Sequence, residues 1–262
     1  MNGNIDEFIV ACIMNDYKRD DPYILSDAER EEIEAKQMIY QSLISDINIE
    51  IGQEASKKDR KLRGDENLSD DTLTYGEIDF IPLAEIIFTI KNRYGGCREG
   101  NFYDLGSGTG KPVIAAALLG NFLECKGIEL LSSLYEVSLT VKERYDRWVQ
   151  TQECMLPNNS YPKVSMILDD IFEYDWSDAD LILANSTCYD ENMIEKIGKI
   201  EVSPGTFSIS LSNSLPVSSW RIVESVRKRM SWGIATVYIQ QKIDLEEERL
   251  KILEFGKALD SE

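Results

Sequence analysis

Apolar positions first recur at helical spacing near the start of the chain. Tyr40, Leu43, Ile44, Ile47 and Ile51 fall on one face of a helix. "SDAE" at 26–29 opens that segment as a capping box, in which the Ser26 hydroxyl and the Glu29 carboxylate satisfy each other's free amides. The pattern then lapses. A basic run, "KKDRKLR" (57–63), and an acidic one, "DENLSDD" (65–71), hold few apolar positions and predict an exposed connection. From Ile78 onward the spacing alternates between helix and strand periods. It predicts a helix over 80–92 with Ile86, Ile87 and Ile90 inward, strand 101–105, helix 111–120 and strand 124–129. Helix 132–149 follows, striped by Leu134, Val137, Val141, Tyr145 and Trp148, then strands 164–168 and 180–185, helix 190–199 and strand 206–212. Strands alternating with helices predict an α/β body with a doubly wound parallel sheet. "RIVESVRKRM" and "IATVYIQQKI" flank "SWG" and predict an antiparallel hairpin at the sheet edge, although the first segment also suits a helix. The expected division is a helical lobe and connection over 1–74 and one large domain over 75–262.

Composition narrows the chemistry. The chain has 262 residues, enough for a full core, and carries 28 Lys and Arg against 47 Asp and Glu, a formal net of −19. Such a surface repels phosphodiester backbones and anionic lipids and attracts basic partners, so neither strong nucleic-acid binding nor membrane association is expected. There is no histidine, which excludes Ser-His-Asp chemistry and His-ligated metals within this chain. The five cysteines are odd in number and lack C-x-x-C spacing, which disfavours disulfides and thiolate zinc and predicts no metal site. No apolar run reaches 18 residues, and "MNGNIDEFIV" lacks a basic leader, so a soluble, non-secreted protein is expected.

The glycine-rich stretch "YDLGSGTGKPV" (103–113) follows a strand and enters a helix, where backbone amides converge. A P-loop needs four residues between its glycine and the Gly-Lys pair, then Ser or Thr for magnesium. Here three residues separate Gly106 from Gly110, and Pro112 follows Lys111. A dinucleotide loop needs Gly or Ala where Lys111 stands. What remains is Asp104 with Gly106, Gly108 and Gly110, and an acid, Glu129, ending the next strand. This is the pattern of an S-adenosylmethionine site: the ligand's amino-acid part lies on the turn and Asp104 faces its ammonium. Asp170 after the third strand is placed to accept from the adenine amino group, with Ile171 and Phe172 against the ring. Asn185 ends an apolar strand at the carboxyl edge of the sheet. Each has a plainer alternative: a tight turn with a solvated acid, a helix cap at Asp170, a strand cap at Asn185.

"TYGEIDFIPLAEII", "FYDLGSGTGK", "GIEL", "DDIFEYDW" and "ANSTCYD" resemble the catalytic domain of the disruptor-of-telomeric-silencing lysine methyltransferases, the histone methyltransferases without a SET domain. The resemblance runs from about Tyr40 to Ile243, and "YGE" at 75–77, placed before the glycine loop, is its most specific part. It implies a Rossmann-like class I methyltransferase fold. It implies that Tyr75, Glu77, Asp104, Gly106, Lys111, Glu129, Asp170, Ile171 and Asn185 surround S-adenosylmethionine, and that Trp232 and Tyr238 help line a lysine channel. Trp232 and Tyr238 read equally well as hairpin core. The chain departs from the family pattern at Ile78 (usually Thr), Lys111 (usually Gln) and Ser186–Thr187 (usually Asn-Phe), and ends "EFGKALDSE" without a basic tail.

The expected function is therefore an S-adenosylmethionine-dependent protein-lysine N-methyltransferase acting on a histone or another basic protein. A different acceptor, or a non-catalytic scaffold that binds cofactor, is the alternative. Nuclear action is the matching location and cytoplasmic action the alternative. "KKDRKLR" suits an import signal or a substrate-docking arm.

Overall fold

The computed structural model describes residues 22–63, 75–97, 99–155 and 160–251. The acidic run 65–71 and the chain end 254–262 lie outside the described residues. Two helices come first, α1 (Asp27–Ile44) and α2 (Ile49–Arg63), followed by α3 (Phe80–Arg93). Then follow β1 (Asn101–Leu105), α4 (Lys111–Leu119), β2 (Glu124–Glu129), α5 (Ser132–Met155), β3 (Lys163–Leu168) and β4 (Ala179–Ala184). A 3-10 turn (Ser186–Cys188), α6 (Glu191–Lys199), β5 (Phe207–Leu211), β6 (Trp220–Met230) and β7 (Gly233–Lys242) complete the order.

The capping box forms as its residue types require: the Ser26 side chain accepts from the Glu29 amide, and Glu29 accepts from the Ser26 amide. Two expectations need correction. The single apolar face running to Ile51 is divided between two helices, because the Asn48 carboxamide accepts from the Ile51 amide and starts a new helix. The basic run 57–63 is not an exposed connection but the second half of α2. Its buried face is small and polar (Gly52, Ser56, Asp59), while Lys57, Lys58 and Lys61 point to solvent, so an apolar period could not reveal it.

The seven strands run in the order β3-β2-β1-β4-β5-β7-β6. The first five pair in parallel, and β7 joins β5 antiparallel, with β6 as the far edge. The hairpin is strand throughout, which settles the open choice for its first segment. Helices α1, α3, α4 and α5 cover one face. Ile87 and Ile90 of α3 are wholly buried there with Val113 and Ile114 of α4, and burial contributes roughly 1.5–3 kcal/mol per large aliphatic side chain. The other face is thinner: Ile194 and Ile197 of α6 pack with Trp176, Ile182 and Trp220. The chain winds outward from β1 to β3 and crosses back to β4, so the sheet switches direction between β1 and β4. Doubly wound sheets hold ligands at the carboxyl ends of the strands beside such a switch.

Candidate functional site

The glycine loop leaves β1 at Asp104 and turns back over β2. The Gly106 and Ser107 amides both donate to the Ile128 carbonyl at 2.9 Å. Gly110 caps α4 with φ +77°, and a Cβ there would stand 2.6 Å from the Met166 side chain. The residue that must be small to pack this loop on the sheet is thus Gly110, and Lys111 is free to point elsewhere. Gly108, at φ +53°, sits under the Tyr75 ring, 2.9 Å from where a Cβ would lie.

A cavity of about 640 Å³ opens above this turn, within the range of small-molecule and cofactor sites. Asp104, Glu129, Asp170 and Ile171 line it from the ends of β1 to β3, and Asn185 from the end of β4. Tyr75, Gly76 and Glu77 form a strap along one side, and Trp232 reaches it from the β6–β7 hairpin. The structure therefore brings nearly all of the expected residues together: Tyr75, Glu77, Asp104, Gly106, Gly108, Lys111, Glu129, Asp170, Ile171, Asn185 and Trp232. Two stand outside. Gly110 shapes the turn from beneath. Tyr238 lies six residues beyond Trp232 on β7, paired with Ser210 and Ser225, and does not line the cavity.

Charge is distributed unevenly around the cavity. Lys111 Nζ meets both Glu77 oxygens at 2.8 and 2.7 Å, nearly out of solvent. Tyr75 donates its hydroxyl to Glu77 at 2.9 Å and shares a 2.8 Å hydrogen bond with Thr109. Burial, followed by the Glu77 charge, pushes the Tyr75 hydroxyl far above its ordinary pKa, so it is neutral. Asn185 donates to the Gly76 carbonyl at 3.2 Å and accepts from Thr187. The Ser231 hydroxyl accepts from the Glu77 amide. The strap is held from four sides.

The carboxylates differ. Glu129 accepts from the Gly108 amide (2.7 Å) and the Leu131 amide (2.8 Å), one bond to each oxygen, and burial raises its pKa. A carboxylate offers about four lone-pair sites, so room remains for a hydroxyl donor. Asp170 accepts from the Phe172 amide at 2.9 Å, beside buried Ile171. Asp104 is 2% exposed, and its Oδ2 is buried with no hydrogen-bond partner. Burial, and then the charge of Glu129, push its pKa up to about 8. A buried acceptor left open beside a second carboxylate is arranged for a cationic donor from a ligand.

Several lining residues were not singled out from the sequence, although Cys188 and Tyr189 lie within "ANSTCYD" and Arg60 within "KKDRKLR". Tyr189 donates to the Leu105 carbonyl at 2.7 Å, and its oxygen would lie 2.6 Å from a Cβ on Gly106. Met193 and Cys188 come from the turn and helix after β4, and Ser56 and Arg60 come from α2. The i, i+4, i+8 spacing of Gly52, Ser56 and Arg60 marks a helix face, but one without apolar character. Among the described residues no group of acids and cysteines is placed to hold a metal, and no helix is long and apolar enough to cross a membrane.

Residues 54–239 match the family described as "Histone methylation protein DOT1". The chain is 29% identical over 163 residues to "Histone-lysine N-methyltransferase, H3 lysine-79 specific" from Debaryomyces hansenii, an alignment covering 60% of this chain and 13% of the yeast protein. Among solved structures, an RNA methyltransferase from Salinibacter ruber with S-adenosyl-L-homocysteine superposes with a TM-score of 0.46 and 23% identity, over 62% of this chain and 92% of that one. A putative class I S-adenosylmethionine-dependent methyltransferase from Listeria monocytogenes gives 0.47 and 11%, over 92% and 88%.

Proposed function

Because this chain belongs to the histone methylation protein DOT1 family, we propose that it is an S-adenosylmethionine-dependent protein-lysine N-methyltransferase whose acceptor is a histone or another basic protein. The observation that carries the reading is the unpartnered, buried Asp104 oxygen at the head of the glycine loop, with Glu129 one strand away. The residues fit the cofactor. Asp104 would take the ammonium, Glu129 the ribose hydroxyls, and Asp170 with Ile171 the adenine. S-adenosylmethionine, when bound, supplies an electrophilic methyl group.

The protein's own contribution is positioning and exclusion of water. A lysine amine reaches the site as an ammonium, with an ordinary pKa near ~10.4, and it reacts only when neutral. Enclosure between Tyr75 and Trp232 would take the amine out of water, and that desolvation disfavours the ammonium. Glu77 is already neutralised by Lys111, so the strap presents no free carboxylate to hold the proton. Asn185, bound to the strap through Gly76, supports its wall from the end of β4. Holding donor and acceptor together accounts for most of the acceleration in such transfers, which suits a chain without histidine.

The acidic surface favours an encounter with a cationic protein. Nuclear action on chromatin is the matching proposal, with free histones better acceptors than intact nucleosomes. Calorimetry with S-adenosylmethionine, S-adenosylhomocysteine, ATP and NAD tests the cofactor: binding of the first two alone is expected, and binding of ATP alone defeats the reading. Tritiated-methyl transfer to histone octamer, nucleosomes and cytosolic protein then tests the acceptor. Labelling of nucleosomes alone defeats the free-histone preference, and binding without labelling leaves the scaffold alternative.

A further inference from the structure

Helix α2 forms a roof over the cavity, and its sequence is unusual for one. Gly52, Ser56 and Arg60 share a face, and Ser56 and Arg60 line the cavity. A Cβ on Gly52 would stand 2.2 Å from the Tyr75 ring, so the start of the helix rests directly on the strap. The far end is fastened at Asp59, whose carboxylate accepts from the Ser133 amide and hydroxyl, both at 2.6 Å. The helix thus spans from the glycine-loop side of the cavity, where Tyr75 covers Gly108, to the first turn of α5 beyond Glu129. Eight residues separate Gly52 from Arg60, about 12 Å along the axis.

Arg60 is therefore next to that fastening, beside the start of α5, the helix that follows Glu129. Its Nε is buried and has no hydrogen-bond partner, and among the described residues no acid lies within ion-pair distance of it. The carboxylates lining the cavity do not serve it: Glu77 is paired with Lys111, Glu129 accepts from two backbone amides, and Asp170 accepts from a third. Among the described residues this donor is unmet, and Arg60 lines the cavity, where a ligand can supply the acceptor.

We infer that Arg60 is a further ligand-binding residue, its guanidinium donating to, or stacking on, the adenosine half of the cofactor so that α2 closes over it. This rests on the methyltransferase reading. A planar fork with five donors suits ribose oxygens and purine nitrogens, and its flat face suits a purine ring.

The test is calorimetry on the full chain, comparing the wild type with Arg60→Ala, Arg60→Lys and the control Lys57→Ala/Lys58→Ala, two exposed positions on the same helix. S-adenosylhomocysteine and adenosine are the probes, and ligand-free melting is followed in parallel. Arg60→Ala is expected to weaken both probes about 10- to 100-fold with the ligand-free melting point little changed. Arg60→Lys, which keeps the charge without the fork, should fall between, and the control should match the wild type. Equal affinity of Arg60→Ala and wild type for S-adenosylhomocysteine overturns the inference. So does a loss confined to S-adenosylhomocysteine with adenosine unaffected, which would put Arg60 at the amino-acid end. A control that weakens binding as much as Arg60→Ala also overturns it, since general charge would then explain the effect. If Arg60→Ala does not fold, Arg60→Lys and Arg60→Gln carry the same comparison. A wild type that binds neither probe removes the cofactor reading itself, a result distinct from any of these.

Discussion

Asp104→Asn should make the ligand-free protein less sensitive to pH while destroying its affinity for cofactor. Asp104 is buried, its Oδ2 is unpartnered, and burial with the nearby Glu129 charge pushes its pKa from 3.8 up to about 8. Its folded pKa lies above its unfolded one, so below about pH 4 both states hold the proton. Between about 4 and about 8 the folded state keeps a proton that the unfolded state has released. Stability therefore falls with rising pH across that window, with a limiting slope of about 1.4 kcal/mol per pH unit for one proton, and levels off above it. Asparagine has no such titration. A buried amide has its own cost of roughly 1–3 kcal/mol if unpaired, but that cost does not vary with pH. The diagnostic quantity is thus the difference in melting temperature, mutant minus wild type, followed from pH 5 to 8. It should rise by roughly 10 °C, since close to three pH units at about 1.4 kcal/mol each come to about 3–4 kcal/mol, at about 2–4 °C per kcal/mol for a domain of this size. Calorimetry completes the test: wild-type affinity for S-adenosylmethionine should increase as Asp104 ionises, and the mutant should show no such rise. A flat difference in melting temperature would refute the burial argument. A mutant that still binds cofactor normally would remove Asp104 from the site.

Glu129→Ala should weaken cofactor binding about 10- to 100-fold, because hydrogen bonds to a charged group contribute roughly 1.5–3 kcal/mol each; titration calorimetry on the folded mutant checks this. Asn185→Ala gives up the 3.2 Å bond to Gly76, about 0.5–1.5 kcal/mol, and a solvent-exposed one from Thr187, so methyl transfer should drop strongly while melting stays within about 5 °C. Early melting with full activity would mean that Asn185 only caps its strand. Asp59→Ala unfastens α2 from α5 and leaves the Ser133 amide without its acceptor; both melting temperature and S-adenosylhomocysteine affinity should fall, and a change in stability alone would show that the roof does not matter for binding. Transfer to free histones should decline as salt rises past ~0.15 M, where screening acts within about 8 Å. Activity independent of salt would dismiss electrostatic steering.

The parallel sheet and its strands were legible because β1 to β5 carry apolar runs broken by glycine and polar turns, with Asp104 and Glu129 at the ends of two of them; the strand order was not read from the sequence. The glycine loop was legible because Gly106, Gly108 and Gly110 adopt a left-handed backbone that few other residues accept. Helix α2 escaped notice because its buried residues, Gly52, Ser56 and Asp59, are small or polar, and Asp59 is held by hydrogen bonds rather than by apolar area. The break at Asn48 was hidden because the apolar period continues across it. Tyr238 could not be separated from Trp232 by sequence, since only the register of the hairpin sets one at the cavity and the other along the strand.

The strap has a consequence in time as well as in space. Its amide at Glu77 is met by Ser231, and its Gly76 lies under the Trp232 ring, partners more than 150 residues later in the chain. A nascent polypeptide that has produced the glycine loop and all five parallel strands still lacks one wall of the chamber. Contacts between such distant stretches form slowly, so the closing hairpin is the step that makes the chamber competent. The wall that Trp232 adds to the chamber therefore depends on the late strands having paired in register, which the central sheet alone does not require.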